Sequence, residues 1–138
     1  MKEQWKELLV KICAICDTAE DAHLNSYGTT FYSSHKMFEA IKDGLDGVPD
    51  SIQEIYFGAR ELGFVSSMEL RKAEIELLKP IKSEKEYARF IKDLQINVLD
   101  MVKNIDENED TTIGEKDLLS KIAGEVQQKL YFLQNFLK

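Results

Sequence analysis

The chain has 138 residues, 43% hydrophobic and 31% charged, a balance that suits one globular core, so residues 1–138 are expected to form a single domain. Twenty-five acidic against 18 basic side chains leave a net charge of −7, a field that repels phosphate backbones and makes nucleic acid a poor default partner. Cys13 and Cys16 cannot build a disulfide framework, and no stretch approaches the ~20 apolar residues of a spanning helix. A cytoplasmic protein with no membrane partner is expected.

Apolar residues recur at helical spacing almost throughout. Trp5, Leu8, Leu9, Ile12, Ile15 and Ala19 follow the i, i+3, i+4 rule and predict an amphipathic helix over about residues 3–25. It should stop in the turn-forming run Asn25 to Thr30, where Gly28 can take a positive φ. A second pattern starts near Phe31 and carries Phe38, Ile41, Leu45, Ile52, Tyr56 and Leu62, with a weak point from Gly44 to Pro49. Three later helix starts pair a hydroxyl residue with a glutamate three positions on: Ser66 with Glu69, Ser83 with Glu86, and Thr112 with Glu115. These predict a short helix over about 67–78, stopped by Pro80, and two long ones over about 84–105 and 113–137. The short acidic link at Asn104 to Thr111 makes the long pair antiparallel neighbours. No strand signal or internal repeat occurs, so the expectation is all-α: a four-helix bundle with a short extra helix in its central connection.

The only two histidines, His23 and His35, lie close to carboxylates. A lone helical histidine is more often structural than a ligand, but the spacing here is specific. On one continuous helix His35, Glu39, Asp50 and Glu54 would fall at about 0°, 40°, 60° and 100° around the axis, on a single face. The His35/Glu39 and Asp50/Glu54 pairs would still lie roughly 22 Å apart along it. One chain cannot close both pairs on one ion. A second copy packed antiparallel across a two-fold axis near Gly44 to Gly47 would bring each histidine pair to its partner's acids, with His23 reaching in from the first helix. Two imidazoles and three carboxylates suit Fe(II), Mn(II) or Zn(II). The competing reading is a solvated acidic face with incidental histidines.

The run His23-Leu24-Asn25-Ser26-Tyr27-Gly28-Thr29-Thr30-Phe31, followed by His35, Glu39, Asp50 and Glu54 at these intervals, resembles the ferroxidase signature of the mini-ferritins, the Dps-like family. Leu62-Gly63 before the Ser66 helix start resembles that family's connecting helix, and Leu130 to Gln134 its last helix. The resemblance implies a ferritin-like bundle assembled as a hollow dodecamer of two-fold dimers. It implies a catalytic metal centre of His23, His35 and Glu39 from one chain with Asp50 and Glu54 from another. Iron is the implied metal, with zinc as competitor and hydrogen peroxide as oxidant; occupancy by one iron or two stays open. The implied function is iron oxidation and storage that protects against oxidative damage. The alternative is a non-catalytic or DNA-associated shell with a degenerate site.

The chain departs from the family in two places. Leu24 stands where an aromatic residue usually follows the first histidine, with Tyr27 and Tyr32 as substitutes, and Pro49 interrupts the second helix. DNA binding is not expected, because the ends offer only Lys2, Lys6, Lys129 and Lys138 rather than a lysine-rich tail. Cys13 and Cys16 form a CxxC spacing in mid-helix, which reads as core packing rather than a redox dithiol. Glu20 and His23 make one ExxH unit without a second copy, which argues against an in-bundle di-iron site and leaves Glu20 a supporting role. Asp117, near the start of the last helix, is the candidate pore residue by the same resemblance.

Overall fold

The computed structural model describes all 138 residues and contains helices and turns only. Helix α1 spans Lys2–Leu24, α2 Phe31–Gly44, α3 Val48–Ile52, α4 Ser67–Leu77, α5 Glu84–Asp106 and α6 Ile113–Phe136, and a π-helical segment, Gln53–Gly58, continues α3. α1 packs against α2 and α5, α6 packs against α5 and α2, and these four form the bundle. Short turns join α1 to α2 and α5 to α6, so each pair runs antiparallel. The expected all-α bundle with a short helix in its central connection is what forms.

The core follows from the apolar stripe of each helix. Trp5, Leu8, Leu9, Ile12 and Ile15 of α1 are fully buried with Phe38 and Ile41 of α2, Ile91 and Ile105 of α5, and Ile122 of α6. The Trp5 and Tyr56 rings stack with centroids 4.8 Å apart, tying the start of α1 to the π-helical segment. Truncating one of the buried Leu or Ile side chains to Ala would cost about 2–5 kcal/mol.

The helix starts behave as their capping residues dictate, with one refinement. Ser66 and Ser83 each accept from the backbone N–H three residues on. Only Thr112 and Glu115 close the bond in both directions, with Glu115 Oε1 accepting from Thr112 N at 3.0 Å. Glu69 is taken instead by Lys6, 2.6 Å away, and Glu86 accepts from Lys82 N. Glu115 also receives Arg60 in a bidentate pair at 2.7 and 2.9 Å, although it is only 2% exposed. Burial works against its charge, but the Arg60 and Thr112 hydrogen bonds outweigh it and hold the carboxyl below the usual range.

The second helix is not continuous, and this corrects the single-face arrangement. α2 ends at Gly44, Gly47 takes φ +80°, and α3 restarts with Pro49 in its first turn. Proline has no N–H to lose there, so the roughly 3 kcal/mol cost of an interior proline does not arise. The helix then widens: Ala59 N donates to Glu54 O and Leu62 N to Phe57 O, both five residues back. Angles and axial distances computed for one straight helix therefore do not carry from His35 and Glu39 to Asp50 and Glu54.

Candidate metal centre

His23 sits in the last turn of α1 and His35 in the first turns of α2, on either side of the Asn25 to Thr30 turn. That turn brings the two imidazoles face to face, with centroids 3.7 Å apart and planes 24° from parallel. Each ring is clamped by the other's backbone. His23 Nδ1 lies 3.0 Å from His35 O, and His35 Nδ1 lies 2.9 Å from His23 O.

These two bonds fix the tautomer. A carbonyl oxygen only accepts, so each Nδ1 must carry its proton and donate it, which leaves the lone pair of each neutral ring on Nε2. A backbone carbonyl on the far nitrogen is the usual way a protein orients an imidazole for a metal. One turn beyond His35 on α2, Glu39 completes the group, and ligand atoms from the three residues all lie within 4.8 Å of one another. Glu39 Oε2 is 3.9 Å from His23 Nδ1 and 3.5 Å from Lys36 Nζ. Two imidazole nitrogens and a carboxylate oxygen form a donor set for Fe(II), Zn(II) or Mn(II).

Asp50 and Glu54 do not join this group within the chain. Both are exposed, Asp50 in the first turn of α3 and Glu54 in the π-helical segment. The three partly buried donors of one chain thus leave open coordination positions that its own remaining acids do not fill.

Two supporting residues escaped the sequence. Phe31 stacks on His35 with centroids 5.0 Å apart, so His35 lies between an imidazole and a phenyl ring. The i, i+4 spacing of Phe31 and His35 was the available signal. Tyr27 and Tyr32, the expected substitutes for the missing aromatic, are mostly exposed, as is Leu24. Glu84, at the start of α5, accepts from Tyr27 N and from Ser34 Oγ, both at 3.2 Å, and so ties the turn and the head of α2 to the bundle. Only the folded chain brings residue 84 beside residues 27 and 34.

Cys13 and Cys16 pack partly buried against the core, and burial pushes both thiols up to about 12, the opposite of a reactive dithiol. Glu20 pairs with Lys42 of α2 at 2.5 Å, a bond that holds its carboxyl below the usual range and joins α1 to α2. Asp117 is exposed and pairs with Lys121 at 3.2 Å.

Comparison with solved structures decides the architecture. Dps from Thermosynechococcus elongatus superposes with a TM-score of 0.86 at 17% identity, over 98% of this chain and 88% of that one. The fold is that of the Dps proteins. Dps from Microbacterium arborescens, solved in a high-iron form, gives 0.78 at 16% identity over 98% and 90% of the two chains. A point mutant of Dps1 from Mycobacterium smegmatis gives 0.75 at 19% identity over 99% and 93%. No family model matches the sequence, and no curated protein matches it. No helix is long and apolar enough to cross a membrane.

Proposed function

We propose that this Dps-fold protein is an iron-oxidising and iron-storing mini-ferritin. The reading rests on one observation above others: His23 and His35 clamp each other's Nδ1 to backbone, which leaves both Nε2 lone pairs free, and ligand atoms of the two rings and of Glu39 gather within 4.8 Å of one another. The high-iron form of the Microbacterium arborescens Dps, which shares the fold, supports iron as the substrate. Asp50 and Glu54, exposed on the α3 side, would supply the missing acids to the histidines of a second copy, and the assembly would be a hollow dodecamer.

In this reading the chain's work is to hold Fe(II) and to favour the ferric product. The imidazoles give neutral nitrogen donors, while Glu39 and the partner copy's two acids add the negative charge that stabilises the higher oxidation state. Two Fe(II) each give one electron to hydrogen peroxide. Its O–O bond breaks, two protons are taken up, and two waters leave without a hydroxyl radical. The ferric ions then pass to the interior as oxide, which removes both reactants of oxidative damage. Zinc competes for the same donors.

The test is stopped-flow oxidation of Fe(II) by peroxide, with His23→Ala/His35→Ala as the comparison. The wild-type protein is expected to consume Fe(II) faster by about 100-fold or more, because the variant loses both nitrogen donors and losing even a residue that only supports a metal ligand typically costs about 10- to 100-fold. Equal rates would leave the second reading, a non-catalytic shell. Lys36, whose ammonium lies 3.5 Å from the Glu39 carboxylate where it opposes a bound cation, favours that reading. Native mass tests the assembly: twelve chains of 15.9 kDa make about 190 kDa.

A further inference from the structure

The π-helical segment after α3 joins two parts of the chain that are held to different degrees. Ala59 N bonds to Glu54 O at 3.0 Å and Leu62 N to Phe57 O at 2.9 Å, each one residue beyond the α-helical partner. If this turn tightened to the α pattern, the residues before it and after it would rotate by about 100° against each other. The later residues are pinned. Tyr56 and Phe57 are buried, Tyr56 stacks on Trp5, and Arg60 is bonded to Glu115 and to Asp110 O. By contrast α3 has five residues, follows the Gly47 break and buries only Ile52. It is the part least held, and it carries Asp50, with Glu54 two residues past its end.

Gln53 stands at the joint. Its side-chain Nε2 donates to Val65 O at 2.7 Å and its Oε1 accepts from Val65 N at 3.0 Å, so one amide answers both backbone groups of one residue, as a neighbouring strand would. Val65 is 8% exposed and directly precedes Ser66, the cap of α4. The connection back to it is tightly turned: Gly63 takes φ +80°, and Glu61 takes φ +57° although it is not glycine. The Phe64 ring then lies so close to Gly58 that a Cβ there would come within 3.2 Å of it. Gln53 and Glu54 are consecutive, and their side chains leave the helix roughly a quarter turn apart. With Gln53 fastened to the entry of α4 and Ile52 in the core, Glu54 is turned out to solvent.

We propose that Gln53 is a positioning residue: by holding Val65 it keeps the wide turn in register and fixes the direction in which Glu54 is offered to the histidines of a second copy. The proposal rests on the reading of Glu54 as a ligand of that copy's metal centre. A glutamine that only anchored the connection would affect metal binding alike with or without the Glu54 carboxylate. A positioning residue acts through that carboxylate.

Co(II) titration of the metal-stripped, assembled protein, followed by the visible absorption of the bound ion, separates the two. Gln53→Met keeps the length of the side chain and removes both hydrogen bonds. It should weaken Co(II) binding by about tenfold or more, the usual effect of losing a residue that orients a metal ligand. In a Glu54→Gln background the same substitution should change the affinity by less than about twofold, since the ligand it aims is gone. Gln53→Glu, which can still accept from Val65 N, enters the same cycle if the native mass shows that Gln53→Met does not assemble. Undiminished affinity in the Gln53 variants, an equal loss with and without the Glu54 carboxylate, a Glu54→Gln protein that binds as wild type, or loss of assembly in both Gln53 variants overturns the proposal. Failure of the metal-centre reading looks different: Co(II) binding is then indifferent to His23→Ala/His35→Ala, and this proposal falls with it.

Discussion

Replacing Glu74 by Gln should stabilise the protein at alkaline pH and leave it nearly unchanged in mild acid. Burial first, and then the neighbouring Asp17, push the Glu74 carboxyl up to about 8 from the usual 4.5. In the unfolded chain the same group ionises near 4.5, so between that pH and about 8 the folded state holds a proton the unfolded state has lost. Stability therefore falls as pH rises through this window and levels off above it. At about 1.4 kcal/mol per pH unit the ceiling is about 5 kcal/mol. Water in the open cleft between α1 and α4, which both residues line, and the exposure of Asp17 reduce this, and about 2–3 kcal/mol is the expected gain for Glu74→Gln at pH 8.5. Urea denaturation with a chelator present, at pH 5 and pH 8.5, measures it. The variant should exceed wild type by that amount at the higher pH and by under about 1 kcal/mol at the lower. Equal stabilities at pH 8.5, or a gain of the same size at both pH values, would refute the claim that this carboxyl is buried as its neutral acid.

Two further outcomes follow from buried groups elsewhere in the bundle. Arg60→Ala leaves Glu115 buried without its partner and should cost about 2–4 kcal/mol in urea denaturation at pH 7. Because the Glu115 carboxyl is held below its usual range, the Arg60 contribution is complete above about pH 4.5 and disappears as pH falls through the depressed value; the gap between variant and wild type should narrow in acid. Cys13 and Cys16, with thiols pushed up to about 12, should react with a disulfide reagent at pH 8 far more slowly than an ordinary thiol and reach full rate only in denaturant.

The sequence alone determined the long helices, because each repeats its apolar residues every three or four positions, and α4, α5 and α6 begin at a hydroxyl residue that caps them. It also singled out His35 and Glu39, whose spacing put them on neighbouring turns of one helix, and His23 at the end of the helix before. Pro49 and Gly47 announced a weak point, but only the tertiary structure decided that the helix ends and restarts there, since a proline reads alike as a kink within a helix and as the first turn of a new one. Periodicity also could not show that the histidines grip each other's carbonyls, that Phe31 covers His35, or that Glu84 pins the turn. The burial of Glu74 opposite Asp17 was equally hidden: on α4 it has the pattern of a solvated glutamate, and only the docking of α4 on α1 removes it from water. Local chain preferences depend on near neighbours and can be read in one dimension, whereas the environment of a donor atom is set by segments far away in sequence, and that environment decides what the atom can bind.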